Sequence, residues 1–211
     1  MKEKQLPKDP YNIVITGVGG QGNVIASRLL ADMLVHGGYR VTIGESFGAS
    51  QRGGSVMSHI RVSAESAWSP QIPRGGADII AALEPVEAIR VLACYGNPEV
   101  KVLTNTRSIY PVGVIAGDMD YPSPEEIRTT ICELSAHAWF INATEEAIKL
   151  GNPILGNIVM IGAIVGTGEL PLSREDFKEA ITHSLAANSL EVNLKAFDLG
   201  QSSVASHKHR S

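Results

Sequence analysis

The apolar positions switch between two periods along the chain. Asn12 to Thr16 is a β-type apolar run that meets a cluster of glycines, after which Val24, Ile25, Leu29, Leu30 and Met33 recur at the spacing of a helix face. Gly37 and Gly38 supply its stop. Tyr39 to Ile43 reads as a second strand. Ser46 to Gly54 has neither period and reads as a long functional loop, and Val56 to Val62 returns to strand, with Ala64 to Trp68 placed to close a short hairpin. Ala77 to Leu83 is then a short apolar run of the kind found in buried parallel strands, followed by a helical pattern from Glu84 to Cys94. Val100 to Leu103 repeats the strand signal, and Ile109 to Pro122, rich in Pro and Gly, is an excursion. Pro124 starts a helix through Ile131 capped by Ser123, Trp139 to Asn142 is a last strand, and Ala143 to Leu150 is a helix stopped by Gly151, Asn152 and Pro153.

The final third differs in character. Ile154 to Gly166 is apolar almost all round, so it is a helix buried in the core or by another chain. Ser173 to Leu185 reads as an amphipathic helix capped by Ser173 with Asp176 three residues on. The tail from Gln201 to Ser211 is polar and small, and is expected to be disordered. Strands that alternate with helices over residues 11–200, between flexible tails at 1–10 and 201–211, predict an α/β protein: a single domain with a Rossmann-like three-layer fold and a mostly parallel central sheet.

Composition narrows the function more than the fold. A net charge of −4 spread over 211 residues, with no basic face, argues against nucleic acid as a partner. No apolar run reaches the roughly 20 residues of a membrane span, and the charged N-terminal segment lacks the apolar stretch of a secretory signal, so a cytoplasmic location is expected. Cys94 and Cys132 are the only cysteines. They suit reduced thiols, and fall short of the roughly four thiolates that an iron–sulfur cluster needs.

Two segments carry candidate chemistry. In GVGGQG, residues Gly17, Gly19 and Gly22 match the G-x-G-x-x-G spacing that turns a chain sharply and presents helix N-terminal amides to an anion, with Glu45 at about the distance where an acidic ribose ligand is expected. Gly20 and Gln21 are unexplained by that fingerprint, and a simple tight strand-to-helix turn accounts for the glycines equally well. In GASQRGGS, Arg52 offers a planar fork for a carboxylate or phosphate, flanked by Ser50, Gln51, Gly53 and Gly54. An ion pair from Arg52 to a neighbouring acid, with the glycines bending the chain, accounts for the segment equally well. Glu84 and Glu87 could form an acid–base pair, but acids at a helix start more simply complement its dipole. The histidines lack metal-ligand spacing, apart from His207 and His209 in the tail. Nucleophile-elbow, zinc-protease and P-loop motifs are absent from the sequence.

Taken in order, GVGGQG, ESFGASQRGGSVMSHIRVS, SPQIPRGGADIIAALEPVEAIR and NPILGNIVMIGAIVG resemble the gamma-type subunit of 2-oxoacid:ferredoxin oxidoreductases. The wording ASQRGGS and EPVEAIR favours the indolepyruvate ferredoxin oxidoreductase branch, where the corresponding subunit is called beta. The resemblance implies oxidative decarboxylation of an aryl 2-oxoacid: thiamine diphosphate with magnesium forms the carbanion, CoA takes the acyl group, and iron–sulfur clusters pass electrons to ferredoxin. It also implies that a larger alpha subunit holds those cofactors and that this chain binds none alone. On that reading no side chain here is catalytic. Gly17, Gly19, Gly20, Gln21 and Gly22, with Ser50, Gln51, Arg52, Gly53 and Gly54, become loops facing the partner's active region. An isolated chain with such a surface is open to self-association. The alternative is a free-standing oxidoreductase that binds NAD(P) or flavin on the glycine loop.

Overall fold

The computed structural model describes residues 5–48, 54–184 and 189–205, with the side chains of 183 and 184 left aside. The elements are β1 (Tyr11–Val18), α1 (Asn23–His36), β2 (Arg40–Phe47), β3 (Ser55–Ser63), β4 (Ile79–Ala82), α2 (Pro85–Tyr95), β5 (Lys101–Asn105), α3 (Val112–Ile115), α4 (Pro124–Glu133), β6 (His137–Ile141) and α5 (Ala143–Lys149). A 3-10 turn (Pro153–Leu155) then leads to α6 (Gly156–Gly166), α7 (Arg174–Ser184) and α8 (Leu190–Ala205).

The six strands lie in the order β2-β3-β1-β4-β5-β6. β1, β4, β5 and β6 are parallel, and β5 and β6 are reached through helical crossovers. β2 and β3 form an antiparallel hairpin whose second strand pairs antiparallel with β1. The sheet is therefore mostly parallel, as the βα rhythm predicts, and lies between two helical layers. Ile13 and Ile15 of β1 point to the layer containing α1, α5, α6, α7 and α8, while Val14 points to the layer of α2 and α4. That alternation is the period-two geometry of a strand buried on both faces.

Local chemistry explains three of the helix starts. Ser123 and Glu126 form a reciprocal capping box on α4. Glu84 caps α2 by accepting from the Glu87 amide at 2.9 Å. Ser173 and Asp176 exchange bonds at the start of α7, the side chain of Asp176 accepting from the Ser173 amide at 2.7 Å.

Several expectations need correction. The loop expected from Ser46 begins later, because Ser46 and Phe47 continue β2 opposite Met57 and Val56 of β3. Ala64–Trp68 forms no strand: the Ser63 hydroxyl takes the amides of Glu65 and Ser66, both at 3.1 Å, and turns the chain away from the sheet. That segment packs over the buried Arg61, whose guanidinium lies 5.0 Å from the Trp68 ring and donates to Ser69 O at 3.2 Å. Gln201–Ala205, expected to be disordered, are the last turns of α8, and 206–211 lie outside the described residues. On the N-terminal side Lys8 pairs with Asp78 at 3.0 Å, and Asp9 accepts from the Ala64 amide at 2.8 Å.

The apolar helix read at Ile154–Gly166 is α6, buried along almost its whole length. It is covered by α8, and the two backbones nearly touch. A Cβ added at Gly162 would lie 2.1 Å from Phe197 O, and one at Gly200 would lie 1.9 Å from Val159 O. Glycine at both positions is what lets the helices approach this closely.

Candidate functional site

The glycine loop turns from β1 into α1 at the carboxyl edge of the sheet, and Gln21 closes it. The Gln21 side chain accepts from the Val18 amide at 2.8 Å and donates to Leu83 O at 2.7 Å, at the end of β4. Its Oε1 occupies the space beside Gly17, where a Cβ would lie 2.6 Å away. Gly22, the cap of α1, has φ +83°, and its missing Cβ leaves room for the Asn157 side chain. Asn23 is buried and donates to Val18 O at 3.2 Å. Leu83 O accepts a second side-chain amide from Asn105, at 3.0 Å, and Asn105 also donates to Thr144 Oγ1 at 2.9 Å. The ends of β1, β4 and β5 and the start of α5 are thus tied together around one carbonyl. Neither Leu83 nor Thr144 was singled out in the sequence, since their partners lie tens of residues away.

Of the expected site residues, Gly17, Gly19, Gly20, Gln21, Gly22 and Gly54 fall together at this edge. Ser50, Gln51, Arg52 and Gly53 lie outside the described residues. The two glycine-rich blocks meet directly, because the Gly19 amide donates to Gly54 O at 2.8 Å. On either side of the glycine loop lies a cleft. One, of about 490 Å³, is lined by Gly20, Gln21, Asn105, Thr144 and Asn157, and the other, of about 810 Å³, by Gly22, Ile25, Phe47, Val56 and Ile154.

The surface round these clefts is apolar. Ile25, Phe47 and Ile154 are 60%, 63% and 38% exposed. Beyond β5 the excursion adds Tyr110, Val112 and Ile115 along the same edge, and α3 buries none of its residues. Large apolar side chains thus stand exposed on this side of the molecule.

The dinucleotide geometry fails on topology. In a nucleotide-binding βαβ unit the acidic residue sits at the end of a parallel strand beside the first. Here antiparallel β3 separates β1 from β2, and Glu45 pairs with Arg28 of α1 at 3.5 Å. The Gln21 side chain is itself bonded within the loop, to Val18 and Leu83.

Glu84 and Glu87 are buried and bonded inward. Burial pushes the Glu84 carboxyl above its ordinary value, outweighing the lowering hydrogen bonds from Tyr121 and from the amides of Glu87 and Ile109. Burial also lowers His59, whose ring packs edge-on against Tyr95. Among the described residues no group of three or more His, Cys, Asp or Glu side chains is placed to hold a metal ion. Cys94 and Cys132 are free and exposed on α2 and α4. No helix among the described residues is long and apolar enough to cross a membrane.

The sequence model of the pyruvate ferredoxin/flavodoxin oxidoreductase family matches residues 12–203. Indolepyruvate oxidoreductase subunit IorB of Pyrococcus horikoshii is 44% identical over 191 residues, covering 90% of this chain and 94% of that protein. The gamma subunit of a keto/oxoacid ferredoxin oxidoreductase from Geobacter sulfurreducens has the same fold, with a TM-score of 0.67 at 22% identity over 93% of this chain and 99% of that one. In the 2-oxoglutarate:ferredoxin oxidoreductase of Magnetococcus marinus the match has a TM-score of 0.73 at 21% identity. It covers 94% of this chain but only 32% of that one, so the fold there is one part of a longer polypeptide.

Proposed function

Because this chain belongs to the pyruvate ferredoxin/flavodoxin oxidoreductase family, we propose that it is the cofactor-poor small subunit of a complex that oxidises an arylpyruvate such as indolepyruvate. The observation that carries this reading is the carboxyl edge of the sheet. There the glycine loop, the hairpin root and the excursion converge, their polar groups are spent on one another, and their large apolar side chains face outward. Such an edge suits docking better than chemistry. The identity shared with the IorB proteins supports the indolepyruvate branch, whose small subunit corresponds to the one called gamma in related complexes.

The donor set of this chain does not fit the family's cofactors. Two cysteines on separate helices cannot supply the roughly four thiolates of an iron–sulfur cluster. Magnesium with the pyrophosphate of thiamine needs oxygen ligands at one place, and the buried acids Glu84 and Glu87 are turned toward Tyr121 and Ser55 instead. We therefore assign thiamine diphosphate, magnesium and the clusters to a larger alpha subunit, with CoA as co-substrate, ferredoxin as electron acceptor and the cytoplasm as the place of work. The glycine loop and the Ser50, Gln51, Arg52, Gly53, Gly54 block then face the partner's active region. There the Arg52 guanidinium would hold a substrate carboxylate or a CoA phosphate.

Reconstitution tests the reading. The chain and the alpha subunit mixed together are expected to reduce a dye in the presence of indolepyruvate and CoA, and the chain alone is expected to be inactive. Full activity of the alpha subunit by itself would contradict the assignment. Arg52→Ala is expected to raise the KM for the oxoacid or for CoA while assembly is retained, and unchanged steady-state parameters would remove Arg52 from the site.

A further inference from the structure

Glu84 and Glu87 stand one turn apart at the start of α2, only 2% and 4% exposed, and face opposite ways along the docking edge. Glu84 reaches toward the excursion: it accepts from the Tyr121 hydroxyl and, at 3.4 Å, from the Ile109 amide. Tyr121 also bonds Ser108 and meets the Tyr110 ring edge-on, with centroids 4.9 Å apart. Glu87 reaches toward the hairpin, accepting from Ser55 Oγ at 2.6 Å, and its other oxygen lies 3.5 Å from the exposed Arg90. Ser55 in turn accepts the Gly48 amide at 2.7 Å, beside the bond from Gly19 to Gly54.

One run of contacts therefore leads from the excursion, through the first turn of α2, to the hairpin root and the glycine loop. The two carboxylates are linked in two ways. Glu84 holds the backbone amide of Glu87, and the nearby Glu87 carboxylate raises the cost of a charge on Glu84. Each is tolerated inside the fold because its own donors are in place. Withdrawing a donor on one side changes the field and the backbone position on the other.

We propose that Glu84 and Glu87 act as one positioning unit that couples the excursion to the hairpin root, so that a displacement of either loop is transmitted to its counterpart. The purpose of such coupling, to give the partner a single preformed edge, rests on the docking reading above. The coupling itself is a property of this chain and is tested without the partner.

The test is amide hydrogen exchange followed by NMR on the full chain. The amides of Gly19 and Gly48 report on the hairpin, and those of Ala116 and Asp118 on the excursion. Tyr121→Phe keeps the ring and removes the hydroxyl, and is expected to speed exchange about threefold or more at Gly19 and Gly48 as well as in the excursion. Glu87→Gln, close in shape to the native side chain, is expected to do the reverse and loosen Ala116 and Asp118. If Glu87→Gln fails to fold, Tyr121→Phe decides alone. Variants that alter exchange only on their own side would show two independent pins and overturn the coupling.

Discussion

Gln21 exemplifies a residue whose type was legible and whose role was not. It stood out as superfluous to a nucleotide fingerprint, but its two bonds join Val18, three positions back, to Leu83, far along the chain. Gln21→Ala is expected to cost about 1–3 kcal/mol in a urea titration, because the Val18 amide and one lone pair of Leu83 O lose their partner. Glu84 was legible as a helix-start acid, and it does cap α2. Its hold on Tyr121 was hidden, because the excursion carries no periodic signal that would place Tyr121 beside α2. The raised carboxyl of Glu84 has a definite consequence for stability. A buried acid of this kind contributes stability that is in place below its unfolded value of about 4.5 and is lost as pH rises through its higher folded value. Relative to Glu84→Gln, which cannot ionise, the native chain should therefore lose stability as pH rises from about 4.5 toward neutrality. Urea midpoints of the two proteins across that range check the sign, and a constant difference would contradict it.

At the scale of elements, the parallel strands were legible because each is a short apolar run followed by a helix, and α6 because it is apolar all round. The last helix was not. Val192, Ala196, Phe197, Gly200 and Val204 do recur at helical spacing, but the small polar residues from Gln201 on read as a tail. Among the described residues, α8 is the element packed most extensively against α6. The Gly162 and Gly200 contacts leave no room for a methyl group. Gly162→Ala or Gly200→Ala is expected to force the helices apart and cost about 3 kcal/mol, read as a lowered thermal midpoint. A midpoint equal to that of the native protein would mean that the two helices do not cross this closely.

At the scale of the whole molecule, the alternation of strands and helices was enough for the fold class but not for the strand order. The β2–β3 hairpin inserts an antiparallel strand beside β1, and that insertion separates Glu45 from the glycine loop and removes the dinucleotide reading. Calorimetric titration of the isolated chain with NADH is accordingly expected to show no stoichiometric binding. The same hairpin brings Gly54 against Gly19 and sets Phe47 on the rim of the cleft beside the glycine loop.

The central claim is that this chain works by docking that edge against the cofactor-bearing alpha subunit. The most direct measurement is the affinity of the two subunits by calorimetry, for the native chain and for Phe47→Glu. Phe47 is largely exposed, so the substitution is expected to leave the folding midpoint unchanged while weakening assembly at least about tenfold. Native affinity in a folded Phe47→Glu chain would contradict the account.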